Sequence, residues 1–159
     1  MDSDRSFFNH FLVEIFNEIL KIEEACLADG DFGNLSVREV HVIDTVCTAE
    51  DDGRSTKAAD IAESLRITAG TLSISVSLLE KKGYLLRKKD NTDKRVVRIG
   101  CTPIGRKAHR IHNEFHAEMV DSVISALTDD EQAALTKALG SISDFFREKG
   151  KKNSGGDIN

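Results

Sequence analysis

At Gly83 the apolar repeat of this chain changes period, and that change limits what the chain can fold into. Over residues 68–83, TAGTLSISVSLLEKKG, the residues Leu72, Val76 and Leu79 recur at i, i+4 and i+7, one stripe of an amphipathic helix. Thr68 is a residue type that caps a helix start, and Gly83 is the type that closes one. Beyond Gly83, residues 84–88 (YLLRK) and 96–99 (VVRI) follow a period of two, and the turn formers DNTDKR lie between them. A helix that stops at a glycine and passes directly into a β-hairpin admits few folds. The helix itself is unusual in its outer face. Thr71, Ser73, Ser75 and Ser77 fall largely off the apolar stripe, and no charge appears until Glu80, whereas a solvated face is ordinarily filled with Glu, Lys, Gln and Arg. Small hydroxyl residues of modest helix propensity suit a face that presses against another polar surface, such as the edges of base pairs.

A short helix from Lys57 to Leu65, with Ala58, Ile61, Ala62 and Leu65 apolar, is joined to that helix by Arg66, Ile67 and Thr68 alone. Two helices joined by a tight turn, the second with a small polar face, form a helix-turn-helix; the glycine usual in such a turn is absent. The hairpin that follows carries Lys88, Lys89, Lys94 and Arg95 at its tip, the placement of a wing that reaches phosphates or the minor groove while the helix enters the major groove. The expected DNA contacts are Thr68, Thr71, Ser73, Ile74 and Ser75 on the helix and Lys89, Lys94 and Arg95 on the wing. Asp93 is expected to orient the Arg95 guanidinium by a charge-assisted bond.

The net charge of −5 conceals a polarity along the chain. Residues 54–110 hold 14 Lys and Arg against 5 Asp and Glu, or +9, which leaves −14 for the remainder. A basic middle between acidic ends is the electrostatic footprint of a segment that faces phosphates. No apolar run reaches bilayer length, and the start, MDSDRS, is acidic where a signal peptide is basic, so a cytoplasmic location with no membrane association is expected. Cys26, Cys47 and Cys101 are widely spaced without a C-x-x-C pair; they are expected to be reduced and mostly in the core. There is no G-x-S-x-G, Gly-rich phosphate loop or H-E-x-x-H, and no enzymatic activity is expected.

Long helical patterns flank the winged segment. Residues 4–28 place Phe8, Leu12, Ile15, Ile19 and Ile22 on one stripe, widened by Phe7, Phe11 and Phe16, a breadth that implies burial on two sides and hence a subunit interface. Ser36 to Glu39 has capping-box form and opens a helix to about Cys47, with Val40, Ile43, Val46 and Cys47 inward. Thr102-Pro103 opens a helix to about Ala126, and a second capping box, Thr128 to Glu131, opens one to about Glu148. The expected fold is therefore mainly α with a small β-hairpin wing: a single domain over 1–148, with the winged helix-turn-helix at about 36–101 and dimerisation helices at about 4–30 and 102–148. Residues 149–159 are expected to be a flexible tail.

This order of elements, together with LEKKGYLLR, Asp93-Lys-Arg95 and IGCTPIGRK, resembles the MarR family of bacterial transcriptional regulators over roughly residues 5–148. The resemblance implies a homodimeric repressor whose terminal helices interlock and whose two winged units grip a palindromic double-stranded DNA site. Four phrases, FLVEIFNEILKIEE, VREVHVIDTV, RITAGTLSISV and IHNEFHAEM, are similar to the FabT branch, repressors of fatty-acid synthesis that sense acyl chains delivered by acyl carrier protein. That branch implies an effector pocket lined by Phe11, Ile15, Val40, His41, Ile111, Phe115 and Met119; taken residue by residue, the sequence favours a simple dimer core for the apolar ones.

The histidines open an alternative. His109, His112 and His116 share one helical face, and His112 and His116 at i, i+4 can offer two ligands to zinc. His41, His112 and His116 also fall at positions that resemble the metal ligands of the zinc-sensing, AdcR-type branch of the same family, and the ligands expected of any metal are Glu23, His41, His112 and His116. The main expectation is no cofactor, with a zinc-sensing repressor as the alternative.

Overall fold

The computed structural model describes residues 2–28 and 31–154. Its elements are α1 (Asp2–Ala28), α2 (Val37–Asp51), α3 (Ala58–Leu65), α4 (Ala69–Lys81), β1 (Leu85–Lys89), β2 (Val97–Cys101), α5 (Pro103–Ser125) and α6 (Asp129–Ser154). The chain through His116 forms one compact unit, and the residues from Ala117 onward form a second. No helix among the described residues is long and apolar enough to cross a membrane.

The core of the first unit is the convergence of the stripes read from the sequence. Val40, Ile43, Val46 and Cys47 of α2, Ile61 and Ala62 of α3, and Leu72, Val76 and Leu79 of α4 are all buried. Ser36 caps α2 with the full capping box, its side chain accepting from the Glu39 backbone while Glu39 accepts from the Ser36 backbone. The helix runs past Cys47 to Asp51, because nothing interrupts it before Gly53, which takes φ +64°.

Between α3 and α4, Arg66 occupies the left-handed region at φ 54°. Arg66 N donates to Glu63 O at 3.0 Å and Ile67 N to Ala62 O at 3.0 Å, the two bonds with which a glycine commonly closes a helix. The absent turn glycine is thus replaced by an arginine in the glycine conformation. The end of α4 repeats the pattern with a true glycine: Gly83, at φ +83°, donates to Glu80 O, and Tyr84 N donates to Leu79 O at 2.9 Å. Because Tyr84 is spent on closing α4, the hairpin starts one residue later than its alternation suggests. β1 and β2 pair antiparallel with Leu85 opposite Cys101 and Lys89 opposite Val97.

Thr102 joins hairpin and helix. Its hydroxyl lies 2.6 Å from Gly83 O and 2.9 Å from Tyr84 O, and it accepts from Gly105 N at 3.2 Å. One turn into α5, Gly105 passes so close to the hairpin that a Cβ there would sit 2.2 Å from Tyr84 O.

The cysteines differ from expectation. Cys47 of α2 and Cys101 of β2 form a disulfide, with Cα atoms 5.8 Å apart across a sequence separation of 54 residues, and Cys26 is free and exposed. Packing α2 against β2 brings together two thiols whose spacing along the chain gives no hint of the pairing.

In the second unit, Thr128 and Glu131 form the predicted capping box, and Gln132 Nε2 donates to Ile124 O at 3.2 Å. α6 continues beyond Glu148 to Ser154 where the tail was expected, since its lysines propagate a helix well; residues 155–159 of that tail lie outside the described residues. The stripes on α1 and α6 are open in the single chain: Phe8, Leu12, Leu139 and Phe146 are all exposed.

Candidate nucleic-acid interface and effector site

Thr68 caps α4, its Oγ1 accepting from Thr71 N at 3.1 Å and lying 2.8 Å from Thr71 Oγ1. Ser75 Oγ donates to Thr71 O and Ser77 Oγ to Ser73 O, so these hydroxyls fold back on their own helix. Thr68, Thr71, Ser73 and Ile74 are exposed and Ser75 is half-buried; Ile74 points away from Leu72, Val76 and Leu79, and Ser75 lies at the edge of their stripe.

A residue the sequence reading passed over ties this helix to the wing. Arg87 projects from β1 onto α4, where its guanidinium donates to Ser73 O at 2.8 Å, to Ser77 Oγ at 3.2 Å and to Ser73 Oγ at 3.4 Å. It also pairs with the Glu80 carboxylate, which accepts from Arg87 N at 2.7 Å. The clue in the sequence is an arginine at an alternating strand position, one turn of chain after a serine-rich helix.

The wing is shaped by Asp90, a second residue missed. Its Oδ2 accepts from Thr92 Oγ1 at 2.6 Å, Thr92 N at 3.1 Å and Asp93 N at 3.2 Å, and its Oδ1 pairs with Arg98. This is an Asx-type turn, legible in principle from an aspartate two residues before a threonine in a hairpin tip. Asp93 then holds Arg95: Oδ1 accepts from Arg95 N at 3.0 Å and Nε at 3.1 Å, and Oδ2 from Nη2 at 3.1 Å. Arg95 is otherwise in solvent, its side chain 92% exposed, and Lys89 and Lys94 are exposed beside it.

The hydroxyl of Thr92, the Arg98 guanidinium and the backbone amides hold the Asp90 carboxyl well below the usual carboxylate range, and Arg95 does the same for Asp93. A depressed folded-state pKa gives stability that is present above the unfolded value near pH 4 and is lost as pH falls through the folded value. Asp90→Asn is therefore expected to flatten the decline of melting temperature below about pH 4. A melting series in which wild type and variant fall in parallel on the acid side would refute this role.

A second constellation lies where α1, α2 and α5 meet. Glu23 is buried, and its Oε1 lies 2.8 Å from His116 Nε2, 3.1 Å from His112 Nε2 and 3.4 Å from His41 Nε2. The ligand atoms of these four residues all fall within 4.8 Å of one another. One carboxylate oxygen offers about two lone-pair directions, yet three ring nitrogens converge on it, and two of those, on His112 and His116, are 3.0 Å apart. Three imidazoles and a carboxylate around one point are a donor set that fits a zinc ion. Outside them, Asp44 Oδ1 lies 2.9 Å from His109 Nδ1 and 3.5 Å from His112 Nδ1; the longer contact is an ionic one, and His112 Nδ1 is buried without a hydrogen bond. Burial favours the neutral ring of His112, but Asp44 and Glu23 outweigh it and raise its pKa. Burial likewise opposes the charge on Glu23, and bonds from His116, His41 and His112 overcome it, lowering its pKa.

Of the expected acyl-pocket residues, His41 belongs to this quartet, and Val40 is fully buried in the core of the first unit. Ile111 and Phe115 line a small cleft with Glu23, Cys26, Leu27 and His112, while Phe11 and Ile15 are open on α1 and Met119 is half-buried on α5.

A helix-turn-helix clamped to a charged hairpin is a winged helix, and a family model described as a winged helix DNA-binding domain matches residues 50–120. The chain belongs to the MarR family of winged helix-turn-helix transcriptional regulators. The crystal structure of Streptococcus pneumoniae FabT in complex with DNA is similar at a TM-score of 0.84 and 33% identity, covering 91% of this chain and 98% of that one. The MepR–DNA complex of S. aureus is similar at a TM-score of 0.66 and 25% identity, covering 85% of this chain and 96% of that one. The Bacillus subtilis protein YwaE, an uncharacterized HTH-type transcriptional regulator, is 34% identical over 85 residues, which is 53% of this chain and 49% of that protein. The chain spans about half the length of the curated relatives it matches.

Proposed function

We propose that this protein is a homodimeric transcriptional repressor that binds palindromic double-stranded DNA through α4 and the wing. The observation that carries this reading is the pairing of an exposed, uncharged hydroxyl face on α4 with Arg95, held by Asp93 at the tip of the adjoining wing. The open apolar stripes of α1 and α6 support dimerisation, and half-sites about 34 to 36 Å apart follow from two such heads on one duplex. Arg95→Ala is expected to weaken binding on all duplexes alike and to reduce the salt slope by about one ion. Equal affinity and equal salt slope for wild type and Arg95→Ala, measured by fluorescence anisotropy, would defeat the wing assignment.

Likeness to FabT supports fatty-acid-synthesis genes as the target and acyl-acyl carrier protein as the effector. The Glu23, His41, His112 and His116 quartet favours a second reading, a zinc-responsive repressor. Bound there, zinc would cross-link α1, α2 and α5. The two readings separate when an operator complex is titrated with long-chain acyl carrier protein and, independently, with zinc and a chelator. Thermal stabilisation by zinc that is lost in His112→Ala supports the metal; dissociation or tightening with acyl carrier protein alone supports the acyl chain. Indifference to both would remove this junction as an effector site.

A further inference from the structure

Among the described residues, Ile74 is the most exposed large apolar side chain, at 67%. Single exposed apolar residues are ordinary on protein surfaces, but the surroundings of this one are not. The other widely exposed apolar side chains lie mostly in the long stripes of α1, α5 and α6, whereas Ile74 stands in the middle of the hydroxyl face of α4.

Most of its neighbours' hydroxyls are already engaged. Thr68 and Thr71 are bonded to each other at the helix start, Ser75 donates to Thr71 O, and Ser77 donates to Ser73 O. Ser73 O, Ser73 Oγ and Ser77 Oγ all receive the Arg87 guanidinium, so this flank of α4 is occupied by the root of the wing. What remains projecting at the centre of the face is a branched hydrocarbon. Exposed Lys89, Lys94 and Arg95 on the wing supply the positive charge that brings this face to a polyanion. In the major groove the only apolar mark on a base edge is the 5-methyl group of thymine.

We propose that Ile74 is a specificity-determining residue that reads a thymine 5-methyl group in each half-site. The inference rests on the reading of α4 as the DNA-facing helix. Contact between the side chain and the methyl removes both from water and is worth a factor of about four in affinity per methyl. Arg87, by fixing the wing against Ser73 and Ser77, holds α4 so that the turn bearing Ile74 is the one presented.

The test uses the full-length protein. Wild type is first used to enrich duplexes from a random pool, and the tightest binder is then remade with each thymine replaced in turn by uracil, which removes the methyl and leaves the base pairing intact. Wild type should lose about three- to fivefold at one or more thymines per half-site. Ile74→Ala, whose fold is checked by its melting temperature, should bind the all-thymine duplex more weakly by about the square of that factor, since both subunits lose the contact, and lose nothing further at those positions. Uniform tolerance of uracil by wild type, or an undiminished uracil penalty in Ile74→Ala, would overturn the assignment of Ile74 while leaving DNA binding intact. Failure of wild type to enrich any duplex would overturn the DNA-facing reading and this inference together.

Discussion

Gly105→Ala is expected to lower the stability of the protein by about 3 kcal/mol, a fall of roughly 6 to 12 °C in melting temperature for a chain of this size. The added Cβ would meet Tyr84 O at 2.2 Å and Tyr84 C at 3.2 Å, and neither atom is free to retreat. Tyr84 N closes α4 on Leu79 O, Tyr84 O accepts from Thr102 N at 3.1 Å, and Tyr84 Oη donates to Asn34 Oδ1 at 2.7 Å. Its ring is buried near Phe32. Relief of the clash therefore has to move the start of α5 off the hairpin, breaking the Thr102 bonds that join them. Helix propensity alone favours alanine over glycine by about 1 kcal/mol, which provides an internal control. Gly140 of α6 has nothing within 4 Å of a built Cβ, so Gly140→Ala should raise stability by about 0.5 to 1 kcal/mol. Urea unfolding of the two variants decides the matter: shifts of the same sign would mean that the contact at Gly105 yields.

Reduction of the Cys47–Cys101 bond is the second large effect. Opening a cross-link between residues 54 apart restores to the unfolded chain an entropy equivalent to about 4 kcal/mol on the loop-closure scale. The melting temperature of oxidised wild type should drop on adding reductant. Cys26→Ser should leave that drop unchanged, because Cys26 is unpaired, and Cys47→Ala should abolish it. Identical melting of oxidised and reduced wild type would show that the bond contributes nothing to the fold.

The helices and the hairpin could be read from the sequence because each is a local matter of period, cap and breaker. Ser36 with Glu39, Thr128 with Glu131, and Gly83 state their roles within a few residues of where they act, and the structure uses each of them so. What escaped depends on distance in space. Cys47 and Cys101 meet only after α2 packs on β2, and Arg87 acquires its meaning only when β1 folds back along α4. Gly105 looked like any glycine near a helix start until the carbonyl of Tyr84 came against it. The histidines are intermediate. Their spacing put His112 and His116 on one face, but the convergence of three rings on a single oxygen of Glu23 needed the packing of α1 and α2 against α5.

α5 begins just after Thr102, whose hydroxyl holds the carbonyls of Gly83 and Tyr84, and bears His109, His112 and His116 seven to fourteen residues beyond that threonine. At 1.5 Å of rise per residue those rings stand about 10 to 20 Å from the root of the wing. Between Gly105 and His116 there is neither proline nor glycine, so this stretch is a solid shaft with no hinge in it. An axial displacement imposed at the histidines would be passed along this shaft toward the hairpin, as a tappet drives a valve. The shaft meets the hairpin at Thr102, through its hydroxyl on the carbonyls of Gly83 and Tyr84 and its amide on Tyr84 O, and that joint is where slack would enter.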